Sequence, residues 1–154
     1  MAQRFQKLEA DLASDDSEVV AKALAELAGL QTEAAVELLF EKASDEAFSA
    51  AKLVGDAFGK SVAAHPKIAL SHTSSDLRKA AIAHLSSAKV VAAIPELARI
   101  LRSKMSLEIR RLSAKALGTI GQTSCVPILV EARQDSTPEI RAAALHGLQN
   151  IMQV

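Results

Sequence analysis

Apolar residues recur every three to four positions along most of the chain, in segments divided by short polar turns. Phe5, Leu8 and Leu12 form the first such row, and the turn residues 13–17 then interrupt it. Spacing of this kind is typical of amphipathic helices, because it brings the apolar side chains to one face. Runs of β-branched residues, which would indicate strands, are absent. The pattern therefore predicts an all-helical chain.

The helical pattern between Ile94 and Ile151 occurs twice. Aligning Glu108 with Glu139 places Leu117 over Leu148, an offset of 31 residues. Each copy reads as a helix, a short turn and a second helix. Such a unit cannot bury its apolar face alone and must stack on a neighbour. The repeated pattern therefore predicts a repeat protein.

Weaker copies of the same unit precede these two. The second helix of the first copy aligns through Glu18 and Leu27, and that of the third aligns through Leu85. The second copy is less regular, with a helix expected after Thr32 and another reopening at residues 44–46. The predicted units cover roughly residues 1–30, 31–60, 61–89, 90–121 and 122–154. Five leucines of these units are expected to be buried: Leu24, Leu27, Leu85, Leu117 and Leu148.

In the fourth and fifth units the second helix reads E-I-R-x-x-A/S-x-x-A/G-L-x-x-I and the first helix contains I/V-P-x-L. The first and third units match in the second helix, and the second unit departs in register. These motifs resemble the HEAT repeat, and the period near 31 residues is similar to that of short, phycobilisome-lyase-like HEAT proteins. The resemblance implies a right-handed α-α superhelix, an armadillo-type α-solenoid of about ten helices in five pairs. It would form a single domain over residues 1–154.

The resemblance also implies a ladder between neighbouring units, formed by an Asp in the turn and an Arg six residues later. Asp135 and Arg141 have this spacing, and a structural brace is the favoured role for Arg141. Arg78 and Arg110 occupy the Arg position, but His72 and Lys104 replace the Asp. For these two arginines, bracing and partner binding remain equally open.

Composition limits the function classes. No apolar run approaches the ~20 residues needed to span a bilayer, and the first residues lack the apolar core of a signal peptide. We therefore expect a cytoplasmic protein without a membrane partner. Cys125 is the single cysteine, which excludes an internal disulfide and a Cys-rich metal site. The expected role of Cys125 is a buried, unreactive thiol.

Charge is distributed unevenly although the formal net charge is +0. Residues 1–60 hold six basic and twelve acidic side chains, whereas residues 61–120 hold ten and three. If the second helices line the concave face, as the resemblance implies, a basic stripe follows. Its candidate partner-binding residues are Arg78, Lys79, Arg110, Arg111, Lys115 and His146. The alternative is an ordinary solvated face.

No motif for catalysis, a cofactor or a metal is present, because phosphate-binding loops, nucleophile elbows and His or Cys clusters are all missing. The favoured function is a non-enzymatic interaction or scaffold module that binds an acidic or phosphorylated protein segment on its concave, second-helix face. Nucleic-acid binding is the alternative, because the fold also occurs in HEAT-like DNA glycosylases. A bilin lyase-like role is a weaker alternative that rests on repeat length alone.

The C-terminal unit carries two apolar residues that its predicted packing leaves without a neighbour. Leu145 aligns with Ala114, a position that is expected to face the following unit, and Met152 lies seven residues beyond Leu145 on the same side of the helix. These two residues are candidates for self-association as a homodimer. A frayed, partly exposed terminal helix is the alternative.

Overall fold

The structure, a computed structural model, describes residues 1–48 and 50–153. Within those residues the chain forms α-helices and one short 3-10 turn, Val91–Ala93. The helices are α1 (Ala2–Leu12), α2 (Ser17–Gly29), α3 (Glu33–Ser44), α4 (Ala51–Ala64), α5 (Pro66–Leu70), α6 (Ser75–Ser87), α7 (Ile94–Arg102), α8 (Leu107–Ile120), α9 (Cys125–Ala132) and α10 (Pro138–Met152). The predicted all-α repeat fold with ten α-helices is confirmed for the residues described.

Local signals in the sequence begin and end these helices. Ser74 Oγ accepts a hydrogen bond from the Leu77 N–H at 3.3 Å and thereby caps α6. Thr32 caps α3 in the same way. A capping side chain satisfies one of the amide groups that a helix start leaves unpaired. Gly121 ends α8 with a φ of +70°, a left-handed conformation that glycine adopts without steric cost.

The helices pack into two compact units, Met1–Ile68 and Ala69–Val154. In the first unit, α2 packs against α1, α3 and α4, and α3 packs along α4. The rings of Phe40 and Phe58 are tilted by 47°, and their centroids lie 5.7 Å apart. Apolar side chains, including the predicted Leu24 and Leu27, form the interior of this unit.

In the second unit, α8 is the central helix and contacts α6, α7, α9 and α10. Leu85, Leu117 and Leu148 are buried there, so the predicted core positions of both units are confirmed. The side chain of Cys125 is also buried, as expected. None of the helices in the described residues combines the length and the apolar character that a membrane span requires.

The second helix of the second predicted unit, α4, begins and ends later than the repeat spacing indicates. The pattern predicts a helix reopening at residues 44–46, but α3 continues to Ser44 and α4 starts only at Ala51. Asp45 turns the chain between them, because its Oδ1 accepts the Ala47 N–H at 3.0 Å. A short Asp side chain that bonds backbone two residues on favours a turn over a helix. α4 extends to Ala64, past the predicted end of the unit at residue 60.

Candidate functional site

A groove of about 480 Å³ lies between α8 and α10 in the second unit. Leu112, Ala142 and Ala143 supply its apolar walls. The charged and polar lining residues are Arg111, Lys115, Glu139 and His146. The structure therefore brings together three of the residues predicted for partner binding, Arg111, Lys115 and His146, and adds an acid that the sequence analysis did not single out.

Helical spacing explains why these side chains share the groove. Arg111 and Lys115 are one turn apart on α8, about 6 Å along its axis. Ala142 and Ala143 lie three and four residues after Glu139 on α10, and His146 lies three residues after Ala143, so all four share one face of the helix. Arg111, Lys115 and His146 are all exposed. Among residues 1–48 and 50–153, the structure gives neither Arg111 nor Lys115 an ion-pair partner within 4.0 Å.

Two glycines set the close approach of α8 to α10. A Cβ atom built on Gly118 would lie 2.5 Å from the Gly147 Cα. One built on Gly147 would lie 3.3 Å from the Gly118 Cα and 3.1 Å from Leu129 Cδ1. Side chains at these positions would force the helices apart. The glycines follow the groove residues in both helices, so α8 and α10 run in the same direction.

A second, smaller groove of about 200 Å³ lies between α6 and α8. Leu112 and Lys115 line both grooves, so the two are adjacent along α8. Lys79 also lines the second groove, and its Nζ lies 2.8 Å from Glu108 Oε2. The hydrogen bond to Glu108 raises the pKa of the Lys79 ammonium. Lys79 is therefore already paired, unlike Arg111 at the equivalent place in the next unit.

Arg78 and Arg110, the other two predicted partner-binding residues, hold turns together. Arg78 Nη1 donates to the His72 carbonyl at 2.7 Å and to the Thr73 carbonyl at 3.2 Å. Arg110 Nε donates to the Leu101 carbonyl at 3.0 Å, and its Nη2 forms an ion pair with Asp135. The Arg110 side chain is 14% exposed. These contacts support the bracing role for both residues.

The turn before α6 and the turn before α10 use the same arrangement with different acceptors. Asp135 Oδ1 accepts the Thr137 N–H at 2.9 Å, and Arg141 donates to the Asp135 and Ser136 carbonyls. In the earlier turn, His72 Nδ1 accepts the Ser74 N–H at 3.0 Å. The Thr137 N–H, aided by Arg110, holds the pKa of the Asp135 carboxyl below its usual value. A buried imidazole thus replaces the Asp of the ladder.

The end of α10 presents the two residues predicted for self-association. Leu145 is 42% exposed and Met152 is 77% exposed. Ala114, which aligns with Leu145 in the preceding repeat, is fully buried. The repeat position that is covered in one unit is therefore open in the next.

The side chains outside the grooves offer little reactive chemistry. Burial raises the pKa of the Cys125 thiol, which disfavours the nucleophilic thiolate. Among residues 1–48 and 50–153, no group of three or more His, Cys, Asp or Glu side chains could hold a metal ion. The arrangement between α8 and α10 supports recognition by charge and shape.

The chain was compared with solved structures, with curated proteins and with models of protein families. Two crystal structures of engineered proteins from the Northeast Structural Genomics Consortium align with the chain. The first is 20% identical with a TM-score of 0.48, over 94% of this chain and 78% of that chain. The second is 24% identical with a TM-score of 0.48, over 94% of this chain and 47% of that chain. No curated protein matches the sequence.

A family model described as HEAT repeats matches residues 62–149. The match includes α6 and α8, most of α10, and all the side chains that line the two adjacent grooves. It covers more than half of the 154 residues. The chain belongs to the HEAT-repeat family.

Proposed function

We propose that the chain is a non-enzymatic interaction module whose groove between α8 and α10 binds an acidic or phosphorylated segment of a protein partner. The fold supports this at the coarse level, because HEAT repeats form protein-interaction scaffolds. The observation that carries the proposal is the pair of exposed cations, Arg111 and Lys115, on the rim of an apolar groove. An exposed cation with no internal ion pair is available to an incoming carboxylate or phosphate.

The apolar groove walls favour a protein segment over a nucleic acid. Leu112, Ala142 and Ala143 offer small apolar surfaces that suit aliphatic side chains. Large aromatic side chains provide the usual platforms for base stacking, and none of the described residues that line this groove is Phe, Tyr or Trp. The bilin lyase alternative still rests on repeat length, and no side-chain arrangement described above favours it.

A fluorescence anisotropy titration tests the proposal. The probe is a labelled Glu-rich amphipathic peptide of about 15 residues, long enough to lie in a groove as a helix. A phosphoserine version and a single-stranded oligonucleotide are measured in parallel. The Arg111→Glu, Lys115→Glu double variant should lose at least about tenfold in peptide affinity, because two attractive contacts become repulsive.

The matched control is Lys7→Glu, Lys52→Glu, which changes the net charge equally at two exposed residues of the first unit. It should bind the acidic peptides nearly as well as the wild type does. Both double variants should keep the wild-type melting temperature, because exposed charges contribute little to folding. Equal losses in the two variants would reject the groove as the site. Binding of the oligonucleotide alone would favour the nucleic-acid alternative.

Self-association through the end of α10 is a second proposal. It rests on the exposure of Leu145, whose counterpart Ala114 is buried in the preceding repeat, and of Met152 seven residues beyond it. A second copy is the proposed occupant, and a twofold dimer would place the same patch on both partners. This proposal is independent of the groove, because neither residue lines it.

A further inference from the structure

Two neighbouring repeats carry a cation and an acid at equivalent positions of their second helices, but the two side chains form an ion pair in only one of the repeats. Lys79 and Glu108 form an ion pair at 2.8 Å between α6 and α8. One repeat later, the equivalent residues are Arg111 and Glu139 on α8 and α10. Among residues 1–48 and 50–153, neither has an ion-pair partner within 4.0 Å, although both line the same groove. The groove therefore presents one cation, Arg111, and one anion, Glu139, that are not paired with each other.

Glu139 has a structural reason to be acidic, but that reason leaves its charge available. It lies in the first turn of α10, where the helix dipole favours a carboxylate. Glu108 occupies the same position in α8 and has Lys79 as well. Glu139 is exposed, and the dipole of α10 is the stabilising interaction described for its carboxylate. An approaching chain that is acidic throughout would bring its own carboxylates towards this one.

We infer that the partner segment of the groove is bipolar: it carries carboxylates that face Arg111 and Lys115 and a Lys or Arg that faces Glu139. Arg111 and Lys115 provide the cationic side on α8, and Glu139 provides the anionic side at the start of α10. Leu112, Ala142 and Ala143 line the same groove and receive a small apolar side chain. This inference rests on the proposed function and specifies the chemistry of its partner.

The charges of the groove attract a segment with the matching order of charges and repel a segment that carries one sign only. A purely acidic segment gains at Arg111 and Lys115 but is repelled by Glu139, and a purely basic segment has the reverse problem. A segment with both signs in the right order satisfies all three side chains. Opposed charges at a rim discriminate between partners more than they add affinity.

Three labelled peptides with a common Ala and Leu face test the inference by fluorescence anisotropy on the full chain. Their polar faces carry only Glu, only Lys, or Glu with Lys residues placed one helical turn away. Several mixed peptides move the Lys along the sequence, so that one of them meets Glu139. We expect the best mixed peptide to bind about threefold tighter than the all-Glu peptide, the size of one exposed ion pair.

Substituting the acid should erase this preference. In Glu139→Gln, the all-Glu peptide should bind more tightly than it binds the wild type, and the advantage of the mixed peptide should disappear. Glu37→Gln removes the same charge from an exposed position of the first unit and should leave the preference unchanged. An unaltered preference in Glu139→Gln would overturn the inference.

The outcomes separate this inference from the proposed function. If the all-Glu peptide binds in the groove and no mixed peptide binds more tightly, the inference fails and the proposed function survives. If no peptide of any composition binds, both fail. If the all-Lys peptide binds best, Arg111 and Lys115 do not recognise the partner. The groove then prefers a basic segment, and both the proposed function and the inference fail.

Discussion

At the scale of single residues, the turns between helices show how different side chains do the same work. Asp135 and His72 each accept the backbone N–H two residues later, at 2.9 and 3.0 Å. Arg141 and Arg78 each donate to carbonyls of the corresponding turn. The fold requires an acceptor at this place, and a carboxylate or an imidazole nitrogen can provide it. Bracing these turns is a structural role.

The hydrogen-bond acceptor at position 72 should therefore contribute more to stability than the packing of the imidazole ring does. We expect His72→Ala to lower the free energy of unfolding by about 1–3 kcal/mol, because it leaves the Ser74 N–H without its acceptor. His72→Asn should retain most of the stability, since its Oδ1 can accept the same hydrogen bond. Urea unfolding of the three proteins measures the difference. Equal losses in both variants would show that packing of the ring matters instead.

At the scale of helices, the approach of α8 to α10 depends on one glycine contact. Gly118 and Gly147 meet backbone to backbone, and the groove opens beside this contact. Gly55 is the opposite case, because a Cβ built there would have no atom within 4 Å. Close packing of helices therefore explains the glycines at 118 and 147, but it does not explain Gly55.

Alanine substitutions should separate these reasons. Gly118→Ala should cost about 1–3 kcal/mol, because the new methyl group meets the backbone of α10. Gly55→Ala should raise the free energy of unfolding by about 0.5–1 kcal/mol, since alanine favours the helix and nothing obstructs it. Urea unfolding followed by circular dichroism measures both. Stabilisation by Gly118→Ala would contradict the close approach.

The sequence contains enough information to predict most helices and part of the groove. Arg111, Lys115 and His146 could be grouped because repeat spacing assigns them to one face. The role of Glu139 could not be predicted, because spacing pairs it with Arg111 as it pairs Glu108 with Lys79. Only the distances between helices decide whether such a pair closes. The bonds of Arg78 also depend on the path of a turn, which periodicity does not specify.

At the scale of the whole molecule, the two compact units differ in the charges that they carry. The acidic side chains are concentrated in residues 1–60 and the basic ones in residues 61–120. Exposed charges separated by more than about 8 Å are screened at physiological salt. The formal net charge of +0 therefore says little about the groove, whose own lining carries Arg111, Lys115 and Glu139.

Oligomeric state tests the second proposal at this scale. We expect the wild type to dimerise at high micromolar concentration, and Leu145→Glu to be a monomer because it places a charge in the apolar patch. Light scattering coupled to size exclusion gives the mass of each. Val91→Glu is the control, since it adds the same charge at another exposed apolar residue. A monomeric wild type would refute the dimer.

The central claim is that an acidic segment binds between α8 and α10. The most direct measurement is an NMR titration of the isotopically labelled chain with the Glu-rich peptide that binds most tightly. The account predicts that the largest shifts of backbone amide signals fall in residues 111–115 and 139–146. Shifts centred on another surface, or saturation of the peptide without shifts in these two segments, would contradict it.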